Sequence, residues 1–108
     1  MTLWKRNLKT MENKLINILT ICRKSGGIIT GFDPVCEGVS EGKILIVLLA
    51  SDISEKTEKE INFRLSEKVR IIKTDITKKE YEFYLGKFCA VIGITNKGFS
   101  DKISEILA

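Results

Sequence analysis

Histidine is absent from this chain of 108 residues, and proline and tryptophan occur once each. Without an imidazole the chain lacks the usual general base and the commonest zinc ligand. Nucleophilic sites of the Ser–His or Cys–His kind are thereby excluded. The three cysteines, Cys22, Cys36 and Cys89, are odd in number and far apart, with no CxxC pair. Cys22 and Cys36 fall at apolar helical positions, which fits buried thiols acting as small hydrophobes rather than a metal or redox centre. No apolar run approaches the roughly 18 residues of a membrane span, and the longest, Ile44 to Ala50, has the length of a buried strand. The opening "MTLWKRNLKT" is basic but has no apolar segment behind it, so it does not read as a signal peptide and the expected location is the cytoplasm. Neither GxGxxG nor GxxxxGK[ST] occurs, and no repeat, linker or low-complexity segment interrupts the chain.

What is present is ordinary for a globular domain: 44% hydrophobic and 30% charged residues, enough for one core without staples. The formal net charge of +4 is unevenly placed. Residues 1–24 hold six basic side chains against one acid, while the rest of the chain holds 12 against 13. The excess positive charge therefore lies at the start of the chain, which suits an anionic partner there and equally a basic, merely solvated segment. Residues 1–10 read as a flexible basic extension, with Trp4, Lys5 and Arg6 as its chemistry, and residues 11–108 as a single domain.

Leu15, Ile18, Leu19 and Cys22 recur at helical spacing, predicting an amphipathic helix from about Met11 to Lys24 that Ser25-Gly26-Gly27 stops. Ile28-Ile29 makes a short strand. A helix follows from Asp33 to Glu41, opened by an Asp33 cap and Pro34 in its first turn, with Val35, Cys36 and Val39 inward. "ILIVLLA" at 44–50 shows no alternation, so both faces of that strand should be covered. The helix at about 54–66 has a thin inner face of Ile61 and Leu65, with Phe63 or Thr57 as further candidates, and a solvated "EKTEKE" face. "VRII" at 69–72 is a strand. Thr77 with Glu80 forms a capping box opening a helix that turns Tyr81, Tyr84 and Leu85 inward. "CAVIGI" at 89–94 is the last strand, and Phe99, Ile103, Ile106 and Leu107 line a final helix. Helices and strands alternate throughout, predicting an α/β fold: a three-layer α/β/α sandwich.

Asp52 ends a buried strand, where open sheets bind ligands. However, the strand that would supply a metal-binding acidic pair ends in Thr30-Gly31, and Asp52 reads as the cap of the next helix, boxed with Glu55. Asp33 and Glu37 lie one turn apart at a helix start, where the macrodipole favours acids without any cation. No other set of titratable groups gathers. The chain is not expected to be an enzyme, and no cofactor or metal is expected.

Four segments carry a resemblance: "RKSGGIITG" at 23–31, "EGKILIVLLASD" at 41–52, "LGKFCAVIGIT" at 85–95 and "GFSDKISEIL" at 98–107. In this order and spacing, from Asn13 to Leu107, the chain resembles the RNA-binding ribosomal-protein superfamily typified by the archaeal "L-seven-Ae" protein, nearest its bacterial YlxQ-like branch. The resemblance implies a mixed four-stranded central sheet and an RNA partner, ribosomal or otherwise structured. In that superfamily the kink-turn binders open their second helix with G-x-N-E-x-x-K. Gly31 falls on the motif glycine, but Asp33 stands for the Asn, Pro34 for the Glu and Glu37 for the Lys. Aspartate has no amide donor, proline has no polar side chain or N–H, and Glu37 places a negative charge where phosphate is met. The kink-turn motif is degenerate.

The candidate RNA-binding residues on the implied edge are Gly31, Phe32 and Asp33 at the second helix, Lys87 and Phe88 in the loop 86–89, and Arg23, Lys24 and Lys43 for phosphate. Phe88 suits stacking on an unpaired base and equally a strand-start core position. No DNA specificity or membrane partner is implied. The alternative reading is a protein-interaction module or homodimer that keeps the fold without RNA.

Overall fold

A buried strand that is apolar at every position must be covered on both faces, and the strand Ile46–Leu49 is. The computed structural model describes the backbone of residues 3–107 and the side chains of residues 14–107. Its elements run α1 (Leu3–Lys24), β1 (Ile28–Thr30), α2 (Phe32–Ser40), β2 (Ile46–Leu49), α3 (Glu55–Leu65), β3 (Arg70–Lys73), α4 (Lys78–Leu85), β4 (Val91–Ile94) and α5 (Lys97–Leu107). The strands form one four-stranded sheet in the order β1-β4-β2-β3. β2 pairs with β3 in parallel, and β4 is antiparallel to both β2 and β1. The chain is thus the expected α/β/α sandwich around a mixed sheet.

Because strand side chains alternate between faces, β2 divides between two cores. Ile46 and Leu48 join Leu15, Leu19, Cys22, Tyr81, Leu85, Ile92, Ile94 and Ile103 beneath α1, α4 and α5. Val47 and Leu49 join Val35, Val39, Ile61, Leu65 and Val91 beneath α2 and α3. Each such side chain, removed fully from water, contributes about 1.5–3 kcal/mol of transfer free energy. In the second core α2 comes close to the sheet because two glycines make room for Ile44. A Cβ on Gly38 would lie 2.7 Å from Ile44 Cδ1, and one on Gly93 only 2.4 Å from it.

Several local readings are corrected. The first helix begins at Leu3 rather than near Met11, and the side chains of Trp4, Lys5 and Arg6 lie outside the described residues. α2 begins at Phe32, and its cap residue is Gly31 at φ 101 and ψ 155, with no side-chain cap hydrogen bond. Asp33 therefore does not cap; it lies in the first turn, after a backbone conformation that only glycine adopts readily. Pro34 is tolerated at the third helical position because that N–H would have no partner within the helix. Asp52 does not cap α3 either. Ser54 does, accepting from the Thr57 N–H at 3.2 Å, while Asp52 Oδ1 accepts from the Lys78 N–H of α4 at 2.8 Å. The box of Thr77 and Glu80 forms as read.

Two aromatic assignments also change. Tyr84 is exposed, because it sits about 100° around the helix from Leu85 and the buried stripe of the short α4 is only Tyr81 and Leu85. Phe63 is 90% exposed, since a residue midway between Ile61 and Leu65 falls on the opposite side of α3.

Candidate nucleic-acid interface

The pairing directions bring the carboxyl ends of β1, β2 and β3 to one end of the sheet, together with the start of β4. At this end α2 opens, the Ser51–Ser54 turn leads to α3, residues 74–77 lead to α4, and the loop 86–90 enters β4. Backbone hydrogen bonds tie these segments together. Gly31 N donates to Val91 O at 2.9 Å, Ala50 N to Ala90 O at 2.9 Å, and Ser51 N to Ile76 O at 2.8 Å. Beneath them the buried Thr74 hydroxyl donates to Leu49 O at 2.9 Å and lies 2.7 Å from the Tyr81 hydroxyl. Burial pushes the Tyr81 phenol well above its ordinary value of 10.0, against the opposing pull of its hydrogen bond with Thr74. Tyr81 is therefore a neutral support for the β3–α4 joint.

The candidate residues divide in space. Gly31, Phe32 and Asp33 stand at this end, as does the loop carrying Lys87 and Phe88. Phe88 is 61% exposed, and Lys78 Nζ lies 5.6 Å from its ring centroid, so it is a surface ring and not a core residue. Arg23, like Lys24, ends α1 ahead of β1 at the other end of the sheet, and its side chain reaches only the start of this loop: Gly86 adopts φ 78 as the end of α4, and a Cβ there would meet Arg23 Nη2 at 3.0 Å. Phe32 is half-buried, packing on the edge of the second core with the Arg64 guanidinium carbon 5.3 Å from its ring centroid. Asp33 is exposed in the first turn of α2, beside the Phe32 and Asp33 N–H groups that fall outside the helical ladder.

Lys24 and Lys43 do not join the group. Each precedes a strand, β1 and β2 respectively, so both sit at the opposite end of the sheet. Lys43 is paired there with Glu41 at 3.0 Å; the hydrogen bond with that carboxylate, and then its charge, raise the ammonium's pKa. The structure instead adds residues the sequence reading passed over. Lys78 opens α4 with its ammonium beside Phe88, Lys79 follows it, and Phe83 and Tyr84 lie exposed on the same helix. The interleaving of basic and aromatic residues in "KKEYEFYLGKF" was the available signal. Among the described residues, no cluster of three or more acidic or cysteine side chains could hold a metal ion.

A three-layer α/β/α sandwich of this kind has known counterparts. No family model matches the chain. It is 28% identical over 96 residues to the RNA-binding protein YlxQ of Enterococcus faecium, covering 89% of this chain and 93% of that protein. Among solved structures, a protein of unknown function from Bacillus halodurans superposes with a TM-score of 0.80 at 24% identity, over 87% of this chain and 96% of that one. The 15.5kD RNA binding protein of Giardia lamblia superposes with a TM-score of 0.71 at 18% identity, over 91% of this chain and 85% of its own. The chain resembles the L-seven-Ae-like RNA-binding superfamily, and its YlxQ-like branch, along most of its length.

Proposed function

We propose that this protein binds structured RNA, ribosomal or otherwise, without catalysis and without selecting kink-turns. The binding surface is the end of the sheet where α2 opens and the loop 86–90 enters β4. One observation carries the reading. On a fold shared with RNA-binding proteins, the exposed Phe88 ring stands beside the Lys78 ammonium on the loop that also carries Lys87. A ring and cations together offer stacking and phosphate contact. The loss of selectivity follows from the α2 opening. Asp33 cannot donate to a base edge, Pro34 has no polar group to offer, and Glu37 repels phosphate. A cytoplasmic setting accords with the reading.

A binding titration over several salt concentrations tests it, comparing a kink-turn RNA with a straight duplex of equal length. Wild type is expected to bind both with similar affinity. The logarithm of the affinity should fall with the logarithm of salt at about 0.9 per phosphate contact. Asp33→Asn/Pro34→Glu/Glu37→Lys is expected to gain a preference for the kink-turn. Selective binding by the wild type would refute the loss of specificity, and no binding to either RNA at low salt would refute RNA binding itself.

A further inference from the structure

We infer that the outer face of α4, continued by the loop behind it, is a platform on which unpaired RNA bases stack. The inference rests on the RNA-binding reading above and adds to it the kind of RNA and the side chains that hold it. Three large aromatic residues within six positions are solvent-exposed: Phe83 at 80%, Tyr84 at 43% and Phe88 at 61%. Scattered exposed hydrophobics are common on folded domains, but Phe83 and Tyr84 are exposed in mutual contact and Phe88 follows on the loop leaving the same helix, and neighbouring exposed rings mark a contact surface. The short α4 has only Tyr81 and Leu85 in the core, so Phe83 and Tyr84 are not there for packing beneath the helix.

The ring geometry suits bases. Phe83 and Tyr84 meet edge to face, with centroids 5.0 Å apart and planes at 82°, an arrangement that leaves the faces of at least one ring open. Over Phe88 the Lys78 ammonium occupies one side, leaving the other face for a base and putting a cation where the neighbouring phosphate would run.

Charge decides between RNA and a protein partner. Lys78 and Lys79 precede the rings, Lys87 lies between Tyr84 and Phe88, and the Arg23 guanidinium lies against Gly86. Of the two acids on α4, Glu80 is turned back into its capping box, accepting from the Thr77 N–H at 3.0 Å, which leaves Glu82. The centre of a protein–protein interface is depleted in lysine. Rings together with lysines are instead the composition of sites that track a single strand, where stacking tolerates any base and cations follow the backbone. A duplex keeps its bases stacked on one another and cannot use the platform.

The test measures fluorescence anisotropy with a dye-labelled oligouridylate of about ten nucleotides and a blunt RNA duplex of the same length. Wild type is expected to prefer the single strand. Phe83→Ala/Phe88→Ala should weaken single-strand binding roughly tenfold or more per ring, with the salt slope unchanged. Lys78→Gln/Lys79→Gln should lower the single-strand salt slope by about 1.4. Because Phe83, Phe88 and Lys79 are exposed and Lys78 is half-buried outside the core, the thermal melts of both variants should match wild type, so that lost binding reports the surface and not the fold. Ring variants that bind the single strand as well as wild type would overturn the platform while leaving RNA binding in place. Failure of wild type to bind either RNA would overturn both. A wild-type dimer in sedimentation that Phe83→Ala/Phe88→Ala converts to monomer would overturn the platform in favour of a contact between copies.

Discussion

Asp52→Ala should loosen the start of a helix that lies 26 residues further along the chain. Its carboxylate oxygen accepts from the Lys78 N–H at 2.8 Å, a charge-assisted bond at one of the orphan donors of α4. Loss of a helix cap of this kind costs about 1 kcal/mol, within a range of about 0.5–2. For a domain near this size, that lowers Tm by about 4–8 °C. Asp52→Asn keeps an acceptor but loses the charge and its favourable interaction with the helix dipole, so roughly half the cost should remain. Ser54→Ala removes the separate cap of α3, and because the two caps serve different helices the double variant should be close to additive. Glu55→Ala should have little effect, since the Glu55 pair with Lys59 at 3.1 Å is highly exposed and such pairs contribute about 0–1 kcal/mol. Urea unfolding gives the free energies, and amide exchange at Lys78 gives the local readout. If Glu55→Ala cost as much as Asp52→Ala, or if Lys78 exchange were unchanged by Asp52→Ala, the assignment of Asp52 to α4 would be wrong.

In the second core, Gly93→Ala should destabilise by about 1–3 kcal/mol through overpacking, because the new Cβ would meet Ile44 Cδ1 at 2.4 Å. Adding Ile44→Val removes that atom and should recover much of the loss; strict additivity in urea unfolding would contradict the contact. Burial pushes the thiols of Cys22 and Cys89 above the ordinary 9.0, with Lys87 offsetting part of the rise at Cys89. Alkylation followed by mass spectrometry should therefore find the half-buried Cys36 labelled first in the native protein. Those two thiols and the Tyr81 phenol stay protonated in the fold while their unfolded counterparts ionise. Stability should thus be full below about pH 8.5 and decline as pH rises through the thiol and phenol range; thermal melts that stay flat there would contradict it.

Much of the architecture was legible because it depends on patterns local to the chain. The unbroken "ILIVLLA" run announced a strand buried on both faces, and Thr77 with Glu80 announced its box, since both partners are within four residues. What was missed depends on partners distant in sequence. Asp52 looks like the cap of the helix beside it, and nothing near it in the sequence indicates that the Lys78 N–H arrives from across the sheet. Asp33-Pro34 looks like a helix opening, but the positive φ of Gly31 had already turned the chain. At the site, Lys24 and Lys43 lie in the same segments as Gly31 and Asp52. They precede their strands while Gly31 and Asp52 follow them, so one strand length separates each pair. Phe83 was legible in principle, as an aromatic residue on the outward side of a short helix whose inward stripe holds two residues.

The end of the sheet where α2 and α4 open is fastened by main-chain atoms and by side chains other than the exposed rings. Gly31 to Val91, Ala50 to Ala90 and Ser51 to Ile76 are backbone bonds, and the buried Thr74 hydroxyl donates to a main-chain carbonyl. Stability and recognition are therefore held by largely separate sets of atoms. The side chains facing solvent at the α2 opening and along α4 can be exchanged without touching the fasteners. Such a surface can give up one vocabulary of RNA contacts, such as the Asn, Glu and Lys of a kink-turn reader, and take up another while the framework under it stays the same.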